Sequence, residues 1–142
     1  MNFDKKYLKK TWNENLEQAD LIAEYFYDIL FHEFEGTEEL FNNTEIHFQK
    51  MEFQKAITNI INNLDDPDKV ETYLKESGIR HICYGIVPKY YKTVESALFK
   101  TFEQVFKDCW SQKMKEQWQL FINFILETMK KGALEIRPDL SE

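Results

Sequence analysis

One imidazole in this chain is placed where a protein would present a metal ligand. His81 lies in Arg80-His81-Ile82-Cys83-Tyr84-Gly85-Ile86-Val87-Pro88, at the end of a predicted helix, before a glycine break and a proline restart. Buried and neutral, such a ring gives one nitrogen to a metal and the other to a nearby acceptor. Exposed at a helix C-terminus it does the opposite, because the helix dipole favours the protonated ring. The other histidines carry less: His32 has no supporting motif, and His47 sits two residues before Gln49. Cys83 and Cys109 form no metal-binding spacing. The acidic run at Asp65, Asp66 and Asp68 is explained by a turn and a helix cap. Any metal chemistry would therefore rest on a single protein ligand, and taken alone His81 is an ordinary helix-end histidine.

The elements that must position these groups read as helices. Four glycines and three prolines in 142 residues leave little turn-forming material, while Leu, Lys, Glu, Gln and Met favour helix. Leu21, Ile22, Tyr25, Phe26, Ile29 and Leu30 share one helical face. Phe53, Ala56, Ile57, Ile60, Ile61 and Leu64 share another, and Val94, Leu98, Phe102, Val105 and Phe106 a third. Punctuation is expected at Gly36, Pro67, Gly78, Gly85, Pro88, Cys109 and Gly132. Helices are predicted over 3–16, 18–34, 45–64, 66–82, 88–107 and 111–131, with a short turn at 37–41 and a less regular course before His81. Asp66 reads as an N-cap with Pro67 in the first turn. Cys109 is expected to pack near Trp110. No alternating pattern of comparable length competes, so the fold class is all-α.

Leu74, Gly78, Arg80, His81, Tyr84, Gly85, Pro88 and Tyr91 together resemble the proximal segment of globins, and Leu98 and Trp110 continue the match. Asn43-Thr44-Glu45-Ile46-His47-Phe48-Gln49-Lys50-Met51-Glu52-Phe53 is similar to the distal-helix start of bacterial single-domain globins and of the haem domain of flavohaemoglobins. The resemblance covers nearly the whole chain. It implies a globin fold of about seven helices around a haem pocket, as a single domain over residues 1–142. It also implies haem b as cofactor, with His81 as the iron ligand and Phe41, Phe53 and Tyr91 at the cofactor. Tyr27 and Gln49 would face the ligand.

Each of these residues also has a plainer reading. Tyr27, taken alone, is a core tyrosine, and Phe41 is core packing after a short helix. The spacing nevertheless agrees with the resemblance, since Gln49, Phe53, Ala56 and Ile57 fall on one helical stripe. His47 lies about 200° around the helix from Gln49, so the two cannot face one pocket, and His47 is expected to face away. A phenol O–H and an amide N–H would hold dioxygen by charge-assisted hydrogen bonding, and neither competes for the metal. The last-helix carboxylate that flavohaemoglobins set against the proximal imidazole has only imperfect counterparts here, Glu127 and Glu135.

Function follows as expectation. The resemblance implies reversible binding of dioxygen, and of NO or CO. It extends to nitric oxide dioxygenation if a separate reductase supplies electrons, since 142 residues hold one domain of ordinary size. The alternative is a gas-sensing or haem-free globin that signals through a partner surface. A net charge of −7 and pI near 5.1 disfavour nucleic acid and anionic membranes. The first residues lack an apolar run of signal-peptide length, and the two cysteines suit a reducing compartment, so a cytoplasmic location is expected. Nothing in the composition sets an oligomeric state.

Overall fold

The computed structural model describes residues 1–141. Its helices begin where the chain offers a cap. Helix α1 (Lys5–Glu14) starts at Asp4, whose carboxylate accepts the Tyr7 N–H at 3.0 Å. A brief α2 (Leu16–Ala19) leads to α3 (Ile22–Glu33), and a 3-10 turn (Glu38–Phe41) leads to α4 (Ile46–Asn62). The Glu45 carboxylate caps α4 by accepting from His47 and Phe48 N–H. Helix α5 (Pro67–Cys83) has Asp66 at its cap and Pro67 in its first turn, as expected. A 3-10 turn (Pro88–Tyr90) then opens α6 (Tyr91–Val105). Ser111 caps the long α7 (Gln112–Ile136) through Met114 N–H. No strand occurs among the described residues.

Several boundaries differ from those predicted. The helix expected from residue 18 starts at Ile22, after the separate α2. The segment expected to be less regular, α5, is an uninterrupted helix of 17 residues. Gly78 and Gly132 do not punctuate at all: both are buried within helices. They let α5 and α7, the most extensively packed pair of helices, touch backbone to backbone. A Cβ on Gly78 would lie 2.0 Å from the Met129 carbonyl oxygen, and one on Gly132 would lie 2.2 Å from that of Lys75.

This contact has a measurable consequence. Alanine at a helical glycine gains about 1 kcal/mol in propensity, but overpacking typically costs about 1–3 kcal/mol. The obstructing atoms at Gly78 are backbone, which cannot swing aside. Gly78→Ala is therefore expected to lower stability by up to about 2 kcal/mol net, read as a fall in thermal midpoint of several degrees. A midpoint at or above that of the wild type would show that the helices part without cost.

The core that holds this arrangement is aromatic. Trp118, Phe102, Phe106 and Phe121 are fully buried where α6 and α7 meet, and the Trp118 indole N–H donates to Thr11 Oγ1 at 3.2 Å, tying in α1. Helix α3 packs across α6, and α4 lies on α3. Consecutive α4 and α5 make no packing contact of comparable extent. Between the end of α4 and the start of α5 runs a cleft of about 580 Å³, lined by Asn59, Ile60 and Asn63 on one side and Val70, Tyr73 and Glu76 on the other. The two helices are thus walls of a crevice.

Candidate functional site

His81 lies in the last turn of α5, beyond the residues that line this cleft. Helix α5 ends in a motif that accounts for the glycine after it. Gly85 adopts φ 82°, its N–H bonds the Ile82 carbonyl at 3.0 Å, and the Ile86 N–H bonds the His81 carbonyl at 2.9 Å. These are the two bonds of a Schellman cap, which needs a left-handed residue at that position. The cap ends the helix at Cys83, two residues past His81, without loosening the turn that holds the imidazole. The imidazole Nδ1 lies 2.7 Å from the Ser77 carbonyl oxygen. An N–H must sit on Nδ1 to make that bond, which leaves Nε2 as the lone-pair nitrogen. Burial holds the ring's pKa below the ordinary 6.5, with the Arg80 charge adding to the shift and the Ser77 bond opposing it. The ring is therefore neutral at pH 7.

The second group of candidates lies on α3, the 3-10 turn and α4. The Gln49 Nε2 donates to the Tyr27 hydroxyl at 3.0 Å. Tyr27 is 3% exposed, and burial raises its pKa to about 12, against a smaller lowering by Gln49. The phenol stays protonated, and with its oxygen accepting from Gln49 its own proton remains available to a third group. The ring is fixed edge-on to Phe41 at 5.5 Å and to Phe53 at 5.7 Å. Phe53 in turn stacks on Phe26 at 4.5 Å. Four of the sequence-predicted residues, Tyr27, Phe41, Gln49 and Phe53, thus form one cluster.

The remaining candidates are placed as follows. Tyr91 is buried, its pKa is raised by burial to about 12, and its hydroxyl has no hydrogen-bond partner. His47 is exposed and faces away, as expected. His32 is exposed and pairs with Asp28 at 3.2 Å. Cys109, expected to pack, is exposed instead, its thiol 3.8 Å from Asn15 Oδ1. Glu127 is exposed and Glu135 pairs with Lys75 at 3.1 Å; the His81 Nδ1 is taken by a neutral carbonyl. Sequence reasoning missed Ser77 and Phe31. The i−4 spacing from His81 could have pointed to Ser77. Phe31, packed on Tyr27 at 5.8 Å and Phe41 at 5.4 Å, gave no signal distinct from core.

The globin family model matches residues 22–129. The chain belongs to the globin family. Relatives of this globin include cytoglobin-2 of Danio rerio, 25% identical over 89 residues, which are 62% of this chain and 50% of that protein. A flavohemoprotein of Xylella fastidiosa is 28% identical over 99 residues, covering 70% of this chain and 24% of that protein. The chain thus spans half or less of these relatives. Among solved structures, a hexacoordinated heme protein from an anhydrobiotic tardigrade superposes with TM-score 0.82 at 18% identity, over 92% of each chain. A bacterial globin from Campylobacter jejuni gives 0.78 at 15% identity, over 93% of this chain and 95% of that one. At these identities the structures establish the globin fold. No helix is long and apolar enough to cross a membrane among the described residues.

Proposed function

We propose that this globin, as a single domain over residues 1–142, holds one haem b between α4 and α5 and binds dioxygen reversibly. The residues fit that group. A bare divalent ion needs several protein ligands, and no cluster of three His, Cys, Asp or Glu occurs among the described residues. Iron already held by a macrocycle needs one imidazole, and His81 offers an Nε2 with no other bond. The partnerless Tyr91 hydroxyl is a buried polar atom that calls for an occupant nearby. Phe41 and Phe53 supply apolar ring faces.

When bound, haem supplies the ferrous iron that takes up a diatomic gas and makes it a better hydrogen-bond acceptor. The chain's own part is orientation. Ser77 keeps the His81 proton on Nδ1. Gln49 donates to the Tyr27 oxygen, and Tyr27 holds its proton toward the ligand. Phe41 and Phe53 exclude water, which strengthens that bond by lowering the local dielectric. The observation that carries this reading is the Gln49–Tyr27 bond within an aromatic shell.

Nitric oxide dioxygenation with an external reductase would use the same groups. Reversible binding is favoured over it because a neutral carbonyl, in place of a carboxylate, orients His81 and so adds less electron density to the imidazole. A cytoplasmic setting and a separate electron donor belong to this reading.

Titration of the chain with haem tests it. A sharp visible band saturating at one equivalent is expected; a band that grows without saturation would mean surface adsorption and no site. Acid should weaken retention. His81 binds its proton less readily folded than unfolded, so as pH falls below about 6.5 the unfolded chain is protonated first. The stability this group contributes is complete above that value and is lost between it and the lower folded pKa.

A further inference from the structure

A second recess, of about 490 Å³, opens between α3, the 3-10 turn and the first turns of α4. Its lining includes Tyr27, Phe31 and Ile46, with Glu24, Asp28 and Lys50 among its polar residues. Tyr27 is otherwise enclosed, so the recess carries outside volume up to the residue at the centre of the distal cluster. Two of its lining residues form an ion pair: Lys50 Nζ lies 3.0 Å from Glu24 Oε2, joining α4 to α3. Lys50 directly follows Gln49 in sequence.

The helices on either side of the recess are pinned. The Gln54 amide donates to the Ala19 carbonyl at 2.9 Å and accepts from the Ala23 N–H at 3.4 Å, which fixes α4 against the end of α2 and the start of α3. Widening the recess therefore falls to side chains, and Lys50 is the long, flexible one. Its side chain is 22% exposed and that of Glu24 60%, so water screens the pair and its hold is slight. Such a contact opens and recloses on the timescale of side-chain motion. The aromatic and aliphatic part of the lining asks nothing of a passing molecule except small size and low polarity.

We propose that this recess is a lateral entry for small apolar gases to the Tyr27–Gln49 pocket, held shut by the Lys50–Glu24 ion pair. The proposal rests on the haem reading for its destination. It makes a distinctive demand: entry of an uncharged gas becomes sensitive to ionic strength, because salt weakens the pair that blocks it.

Carbon monoxide association after flash photolysis, measured on the haem-loaded chain, tests the gate. Lys50→Met keeps most of the side-chain bulk, and Glu24→Gln keeps the shape of the partner. Each is expected to speed association about two- to fivefold, the range an exposed ion pair spans. Each should also abolish the rise in rate with salt seen in the wild type. Exchanging the charges, with Lys50→Glu and Glu24→Lys together, should restore both slow entry and salt sensitivity. Equal rates in all four proteins, with no salt dependence, would overturn the gate while leaving haem binding intact.

A second readout needs no haem. Xenon, a probe of gas-sized apolar space, should shift the amide resonances of Phe31 and Ile46 in the chain alone, and more strongly in Lys50→Met. If haem is not retained but these shifts appear, the haem reading fails and the gated recess stands. Absence of any xenon effect at these residues in both proteins would overturn the recess.

Discussion

His81→Ala is expected to abolish stoichiometric haem retention. A partner that merely orients a metal-bound imidazole is worth about 10–100-fold in metal affinity, so removal of the ligand itself should cost more than about a hundredfold. The loss should leave the fold intact. His81 is only part-buried, and the bonds that end α5 run through backbone at Gly85 and Ile86, which alanine preserves. Far-ultraviolet circular dichroism should therefore match the wild type while the haem band weakens and shifts. Imidazole added to the buffer should fill the space left by the ring and restore part of the band, which a collapsed protein could not do. Full retention with the wild-type spectrum would remove His81 from the iron.

The features that the sequence made legible are local ones. Asp66-Pro67 and the glycine at 85 act through bonds within a turn of their own position, so the residues at hand decide the conformation. The same locality made the Gln49–Phe53–Ala56–Ile57 stripe and the outward course of His47 readable from the 3.6-residue period. Gly78 and Gly132 defeated this kind of reading. Both were read as punctuation, yet their role is set by a carbonyl on another helix, and nothing within a few residues distinguishes a glycine that breaks a helix from one that admits a neighbour. Helix α7 runs through Gly132 and ends at Ile136, where Arg137, the residue before Pro138, leaves the helical conformation. For the candidate site, resemblance pointed to Tyr27, Gln49 and His81, but it could not point to Ser77, whose backbone carbonyl bonds the His81 ring, or to the Lys50–Glu24 pair, which depends on how α3 lies against α4.

Tyr27→Phe is expected to speed dioxygen release about ten- to a hundredfold, with little change in association. The substitution removes one hydroxyl and keeps the ring, so the edge-on contacts with Phe41 and Phe53 and the shape of the pocket survive. What is lost is a hydrogen bond to a ligand that carries partial negative charge, worth about 1.5–3 kcal/mol. Gln49 determines how much of that loss appears. In the wild type its amide N–H is spent on the Tyr27 oxygen, and in Tyr27→Phe it is released and can turn toward the ligand, recovering part of the stabilisation. Gln49→Leu alone should accelerate release less than Tyr27→Phe, because Tyr27 keeps its own proton. The double variant should release ligand faster than either. The coupling between the two substitutions then separates the roles: independent donors would give additive effects, whereas an amide that acts through the phenol gives a single-variant cost at Gln49 that depends on whether Tyr27 is present. An unchanged dissociation rate in Tyr27→Phe, measured by displacement with carbon monoxide, would place the ligand elsewhere and leave the Gln49–Tyr27 bond a feature of the core.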